Sequence, residues 1–120
     1  MDLEALRAHC LDKPGVAEGY PFGTGALVMK VGPKVFAIIG EHDEPLTVSL
    51  KSEPEIAQVL RDTHDAVRPG YHLNKRHWIT VTLDGSMHDE RVLEWVDDSY
   101  DLVLDSLPRR MRAGIEGRVS

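Results

Sequence analysis

The chain has 120 residues, of which 42% are hydrophobic and 28% are charged, and its net charge at pH 7 is −6. This length and composition are typical of one globular domain, and apolar runs such as residues 35–39 are too short to span a bilayer. The charged N-terminus lacks a signal-peptide core and the lone cysteine cannot form an internal disulfide, so we expect a cytoplasmic protein. The acidic balance is the opposite of the basic charge on which most nucleic-acid binders depend.

Residues 2–12 are predicted to form an amphipathic helix, with apolar side chains at positions 3, 6, 10 and 11. Cys10 lies on this apolar stripe, which favours a buried thiol over a nucleophile, because a nucleophile needs a neighbour that stabilises the thiolate. Residues 13–25 contain two prolines and four glycines. They are predicted to be a connector that packs on the domain through Val16, Tyr20 and Phe22.

Three strands are predicted next, at residues 26–31, 34–40 and 46–50, and three antiparallel strands in sequence form a meander. A helix then extends to about residue 64. Ser52 and Glu55 have the spacing of a capping box at its start, and Pro54 falls in its first turn. The following residues, 67–76, are predicted to be irregular or to hold a short strand.

The run HWITVTL, residues 77–83, shows the clearest strand alternation. It predicts one face with His77, Ile79, Val81 and Leu83 and the other with Trp78, Thr80 and Thr82. A long helix should start near residues 86–89 and end near 107, with Asp97, Asp98 and Asp101 facing water. Pro108 then ends it or opens one more short turn that holds Met111 and Ile115. The element order α-β-β-β-α-(β)-β-α predicts a two-layer α+β domain, with helices packed on one antiparallel sheet.

The chain offers little support for catalysis or metal binding. His72 and His77 are five residues apart, with Asp65, Asp84 and His64 nearby, but no spacing typical of a zinc site is present. GxSxG, P-loop and strand-linked GxGxxG motifs are absent from the sequence. We therefore predict a protein that is not an enzyme and holds no cofactor or metal.

Nucleic-acid contact has more support, because residues 66–83 contain no acid. Lys and Arg free of nearby acids suit phosphate, and an exposed aromatic suits base stacking. The predicted contact surface consists of Arg68, Tyr71, His72, Asn74, Lys75, Arg76, His77 and Trp78. The alternative is that Trp78 covers a helix while Lys75 and Arg76 only keep a loop soluble.

A second acid-free window, residues 106–115, holds Arg109, Arg110 and Arg112. These arginines either extend the same basic face or complement the dipole at the end of the preceding helix, and we favour the second. The tetrapeptide IEGR at 115–118 also matches a protease-recognition site that is common in engineered proteins.

The runs RPGYHLNKRHWITVTLDGS and DERVLEWVDDSYDLV, together with KPGVAEGYPFG, KVGPKVFAII and SLKSEPEIAQVLRD, resemble the MmcQ/YjbR family of small bacterial proteins. The resemblance covers residues 3–107 and departs from the family pattern at His88, where a proline is expected. It implies an α-β3-α-β2-α fold with one antiparallel sheet, and it places a strand near 67–73.

The resemblance also implies DNA binding through a "double wing", although it assigns no functional residue. We therefore expect one domain over residues 1–120, with 107–120 as a short helix or tail, acting as a monomeric DNA-binding or regulatory module. The topology is also similar to that of secretion-chaperone-like proteins, so a protein-interaction adaptor is the first alternative. A small-molecule or metal-binding protein is the second.

Overall fold

In the computed structural model, which describes residues 1–116, helices α1 to α3 pack on one face of a six-stranded antiparallel sheet and α4 follows at one end. The elements in chain order are α1 Leu3–Leu11, β1 Val16–Gly19, β2 Ala26–Val31, β3 Lys34–Gly40, β4 Thr47–Lys51, α2 Pro54–Thr63, β5 Val67–Pro69, β6 Trp78–Thr82, α3 Asp89–Asp105 and α4 Arg109–Glu116. The predicted α+β class and two-layer architecture are confirmed.

The strand order is β1-β2-β3-β4-β6-β5, so the predicted meander forms the centre of the sheet. Its register decides which side chains share a face, because alternate residues point to opposite sides. Leu27 lies opposite Ile39, which lies opposite Val48, which lies opposite Val81. All four are buried beneath the helices. The row Val28, Ile38, Ser49, Thr80 and Arg68 lies on the outer face.

The connector between α1 and β2 contains a strand that the sequence did not indicate. Residues 16–19 pair with β2 as the edge strand β1. Val16 packs against the core as predicted, whereas Tyr20 is 48% exposed and Phe22 69% exposed. The prediction that those two aromatics pack on the domain is therefore wrong. The segment is only four residues long and includes a glycine, so its sequence shows no clear strand pattern. Its register is set by pairing with β2, which its own sequence does not reveal.

Two predictions at the ends of β4 and β6 are also wrong. The residue that caps α2 is Glu53, which makes no side-chain cap bond, while Ser52 Oγ donates to the Glu53 carbonyl. Ser52 N donates to the His77 carbonyl at 2.8 Å, so Ser52 prolongs the pairing of β4 with β6 rather than forming a capping box. His77 is exposed and precedes β6, so it does not head the inward face.

Helix α1 is fixed to α3 by a polar contact. Asp97 accepts a hydrogen bond from His9 Nε2 at 2.7 Å and forms an ion pair with Lys13. Burial alone would raise the pKa of Asp97, but the bonds from Lys13 and His9 outweigh burial and lower it. Asp97 therefore joins two helices, while its side chain remains 43% exposed, so the prediction that it faces water holds only in part. Nearby, Cys10 is fully buried as predicted, and burial raises the pKa of its thiol to about 12.

Pro108 opens a helix of eight residues, α4, where the sequence left a stop and a further short turn as alternatives. Ile115 of α4 joins the core next to Gly15, and residues 117–118 of the IEGR tetrapeptide lie outside the described residues. No helix within residues 1–116 is long and apolar enough to cross a membrane.

Candidate nucleic-acid interface

The segment from Gly70 to His77, which joins β5 to β6, folds back on itself. Gly70 N donates to the Trp78 carbonyl at 3.0 Å, and Leu73 N donates to the Gly70 carbonyl at 3.3 Å. The side-chain oxygen of Asn74 accepts a hydrogen bond from Arg76 N at 2.9 Å. The main-chain carbonyl of Asn74 accepts from both His77 N and Trp78 N. The Asn74 side chain is therefore engaged in shaping the turn.

Arg68, Tyr71 and His72 form a cluster at the outer face of the sheet. The Arg68 guanidinium lies 5.8 Å from the centre of the Tyr71 ring, and the Tyr71 and His72 ring centres are 4.0 Å apart. Tyr71 N donates to Thr80 Oγ1 at 3.0 Å, which anchors the cluster to β6. His72 has a φ of 59°, in the left-handed region that histidine enters more readily than most residues. Tyr71 nevertheless remains 64% exposed.

Lys75, Arg76 and His77 lie at the end of the sheet and are exposed. The Lys75 ammonium is 3.4 Å from the Gly70 carbonyl, and the Lys75 carbonyl accepts a bond from Arg61 of α2 at 3.2 Å. Trp78 is half-buried, lies opposite Lys51 and alternates with the buried Ile79. Of the eight predicted contact residues, the structure thus brings three together on the outer face and places three at the adjoining end.

A cleft of about 530 Å³, here called the outer cleft, lies beside this cluster. Its floor consists of outward-facing residues of β3, β4 and β6, including Ser49 and Thr80, whose hydroxyls are 2.8 Å apart. Arg68 and Tyr71 line one side, and Asp43 and Glu44 line another. The outer cleft therefore has a basic, aromatic side and an acidic side.

The arginines of α4 do not extend this surface. Gly15 and Gly32, which flank β1 and β2, lie beside Ile115 and Met111 of α4, whereas the 70–77 segment belongs to the opposite edge of the sheet. Arg112 Nη1 lies 3.5 Å from the carbonyl of Asp105, at the C-terminal end of α3. For Arg112 this agrees with the favoured role of complementing the helix dipole.

A second concave surface, here called the α2–α3 groove, lies on the helical side and has a volume of about 330 Å³. Leu50 and Ile79 of the sheet line it together with Leu60 of α2 and Trp95 of α3. The rings of His64, which follows α2, and Trp95 of α3 contact each other, with their centres 5.4 Å apart. The acidic residues that line the groove are Glu53, Asp98, Asp101 and Asp105.

Sequence reasoning missed this groove because it assigned the acids of α3 only to a solvated face. The available signal was the spacing of Asp98, Asp101 and Asp105, which lie three and four residues apart and so share one side of a helix. Their proximity raises like-charge repulsion: burial raises the pKa of Asp98, and the negative charges of Asp101, Asp97 and Glu94 raise it further.

We predict that Asp98→Asn raises the melting temperature at pH 7. The pKa of Asp98 is higher in the folded than in the unfolded state. At a pH above both pKa values the charged carboxylate therefore destabilises the fold, and this penalty disappears as the pH falls below the pKa of the unfolded state. The gain should therefore be absent at about pH 3. Thermal unfolding followed by circular dichroism at both pH values tests this.

Glu90→Gln is the matched control for this prediction, because Glu90 lies in the first turn of α3, where a negative charge favours the helix. It should not raise the melting temperature at pH 7. An equal gain from Asp98→Asn at both pH values would contradict the electrostatic explanation.

Within residues 1–116, no group of three or more His, Cys, Asp or Glu side chains is placed to hold a metal ion. His72 and His77 thus do not converge with a third ligand from Asp65, Asp84 or His64. The structure gives the metal-binding alternative no support.

The fold and these surfaces define a small two-layer α+β protein with a helical face that carries a groove and a sheet face that carries a cleft. The YjbR family model matches residues 11–102, and the chain belongs to that family. The chain is 40% identical over 112 residues to the uncharacterized protein YjbR of Escherichia coli strain K12, which covers 93% of this chain and 95% of that protein.

Other relatives agree with this assignment. The uncharacterized protein YbdF of Escherichia coli O157:H7 is 32% identical over 107 residues, covering 89% of this chain and 88% of that protein. The crystal structure of Deinococcus radiodurans protein DR2400, a DUF419 domain, has a TM-score of 0.91 and 37% identity, covering 96% of this chain and 88% of that one. A Pseudomonas syringae protein structure with a TM-score of 0.74 and 24% identity, covering 86% of this chain and 99% of that one, shares the fold.

Proposed function

We propose that this protein is a non-catalytic DNA-binding module, acting as a monomer, that contacts single-stranded DNA beside the outer cleft. The observation that carries the proposal is the exposed Tyr71, with Arg68 and His72 beside its ring. An exposed ring anchored to a sheet by its backbone offers a base a rigid stacking surface. The guanidinium of Arg68 beside it suits the phosphate of the same nucleotide.

Phosphate contacts would come from Arg68 together with Lys75 and Arg76 at the end of the sheet. The acids on the other side of the outer cleft, Asp43 and Glu44, would repel a strand that crossed it completely. The footprint is therefore short. Single strands are favoured over duplex because only unpaired bases present their faces to Tyr71. With about three phosphate contacts on a single strand, affinity for DNA should fall by about 20-fold between about 50 and 200 mM salt.

We predict that Lys75→Ala with Arg76→Ala weakens binding of a labelled oligothymidine by at least about tenfold at low salt, because two phosphate contacts are lost. The slope of log affinity against log salt should become shallower by about 1.4, the value for two contacts on a single strand. Fluorescence anisotropy across a salt series measures both quantities.

The matched control is Arg109→Ala with Arg110→Ala, which removes the same charge from exposed positions of α4 at the other side of the sheet. This control should keep most of the wild-type affinity and slope. If both double variants lost the same DNA affinity, the effect would reflect net charge rather than a contact site. If the wild-type protein did not bind DNA at low salt, the proposal would be refuted.

The protein-interaction alternative is favoured by a different observation, the apolar groove between α2 and α3. It does not compete for the outer cleft, because the groove lies on the helical side of the sheet. The two surfaces can therefore be tested separately.

A further inference from the structure

Helix α2 carries apolar side chains that its own domain does not cover. Ala57 is its only fully buried residue, while Ile56 and Val59, which are three residues apart, are 52% and 59% exposed. Ile56 lines the α2–α3 groove together with the half-buried Leu60 and Leu102. Apolar side chains that continue from a concave surface onto its rim are typical of a protein-binding site.

The opposite rim of the groove carries unneutralised negative charge. Asp98, Asp101 and Asp105 occupy one side of α3 over about 10 Å, the rise of seven helical residues. Among residues 1–116, neither Asp98 nor Asp101 forms a salt bridge, and Asp105 has only Arg112 at 3.9 Å. The one cation in the lining is Lys51. Asp97, which is not part of the groove lining, is by contrast paired with His9 of α1 and with Lys13.

We propose that the α2–α3 groove binds an amphipathic helical segment of a partner protein, with apolar side chains at i, i+3 or i+4, and i+7 and with Lys or Arg along one flank. The apolar side would cover Ile56, Leu60 and Leu102, as in other helix-in-groove complexes. Two turns of the basic flank match the span of the acids from Asp98 to Asp105.

The chain itself contains a helix of this chemistry that contacts Asp105, one of the acids lining the groove. Helix α4, with the sequence RRMRAGIE, places Ile115 in the core and Arg112 beside Asp105, the last acid of the stripe. A basic amphipathic helix is thus already compatible with this end of α3. The groove continues beyond Asp105 to Asp101 and Asp98, which leaves two carboxylates for a second such helix.

The probe is a fluorescein-labelled synthetic helix of about 15 residues, with leucines at the stated spacing and lysines on one flank. A peptide of the same composition in scrambled order is its control. Anisotropy at about 50 mM salt gives the affinity, and amide chemical shifts locate the site. We expect saturable binding of the amphipathic peptide, with shifts concentrated at α2 and α3.

Two variants locate the binding energy. Asp98→Asn with Asp101→Asn should weaken binding of the peptide by about tenfold. Ile56→Asp should reduce peptide binding below detection, because it places a charge against the apolar side of the peptide. Both changes lie at exposed positions, so the fold is retained. The control for charge, Glu55→Gln with Glu90→Gln, alters two exposed acids outside the groove lining and should change the affinity less than about twofold.

Several outcomes would overturn the proposal. These are no binding at low salt, equal binding of the scrambled peptide, or equal effects of the two acid double variants. A concentration-dependent dimer that Ile56→Asp abolishes, without peptide binding, would assign the groove to a second copy of the chain instead. Lys75→Ala with Arg76→Ala should leave peptide binding intact. The peptide experiment and the DNA experiment therefore test the two proposals independently.

Discussion

Replacing Ser99 by alanine is expected to lower the free energy of unfolding by about 2–4 kcal/mol, an unusually large effect for the loss of one hydroxyl. Ser99 lies on α3 with none of its surface exposed. Its Oγ donates to the Phe36 carbonyl at 2.6 Å and accepts from Lys51 N at 2.8 Å. The hydroxyl thus serves one backbone group from each of two neighbouring strands.

The register explains why this position matters. Ala37 pairs with Leu50 as the last pair between β3 and β4, so Phe36 and Lys51 would be the next pair if the ladder continued. The Ser99 hydroxyl lies between their backbone groups instead. Alanine leaves a buried carbonyl and an amide without this partner, and each such loss costs about 1–3 kcal/mol. Water entering from the α2–α3 groove, which Lys51 lines, offsets part of the sum.

Urea denaturation followed by tryptophan fluorescence measures the change. Ser86→Ala is the matched control, because Ser86 is exposed and bonds only to the nearby Asp84, so it should cost less than about 1 kcal/mol. If Ser99→Ala were as stable as Ser86→Ala, the bridging role of the hydroxyl would be refuted.

Ser99 also illustrates what a sequence predicts and what it does not. The alternation of Ile79 and Val81 and the apolar spacing in α3 predict elements and buried faces correctly, because these patterns arise from each element alone. A serine on the buried side of α3 gives no sign that it bridges two strands more than 45 positions away in sequence, since that contact depends on strand register. The same reason explains the missed β1, whose Glu18 is held by Arg7 of α1 at 2.7 Å.

The candidate sites divide in the same way. The acid-free window correctly indicated an exposed basic segment at residues 75 and 76, because local charge does not depend on the fold. Whether that segment lies near the α4 arginines depends on strand order, which places the segment and the arginines at opposite edges of the sheet. The spacing of Asp98, Asp101 and Asp105 could have indicated an acidic stripe on α3. It does not indicate the α2–α3 groove itself, because Ile56 and Asp98 are 42 positions apart and line one surface only after α2 and α3 pack on the sheet.

Replacing Gly70 by alanine should destabilise the protein by about 1–3 kcal/mol and displace the whole 70–77 segment. A Cβ at position 70 would lie 2.7 Å from Trp78 Cβ, 3.1 Å from the Trp78 carbonyl oxygen and 3.2 Å from Leu73 Cβ. These atoms belong to the backbone or to the first carbon of a side chain, so rotating a side chain cannot relieve the contact. The chain must instead move away from Trp78.

That movement should reach the proposed DNA contact. Gly70 N donates to the Trp78 carbonyl, and the next residue, Tyr71, is held by its bond to Thr80. Separating Gly70 from Trp78 therefore loosens the anchor that keeps the Tyr71 ring beside Arg68. We expect oligothymidine affinity to fall by about tenfold or more, although no charge is lost, because base stacking on an aromatic ring contributes about 1–3 kcal/mol.

Gly19→Ala separates this effect from a general loss of glycine. A Cβ at Gly19 meets no atom within 4 Å, so this variant should have wild-type stability and DNA affinity. Urea denaturation, anisotropy with oligothymidine and the amide shifts of residues 70–78 measure the three consequences together. If Gly70→Ala left the amide shift of Tyr71 unchanged and yet weakened DNA binding, the Tyr71 ring would not be the stacking surface. If it moved Tyr71 without changing DNA affinity, the contact would lie with Lys75 and Arg76 alone.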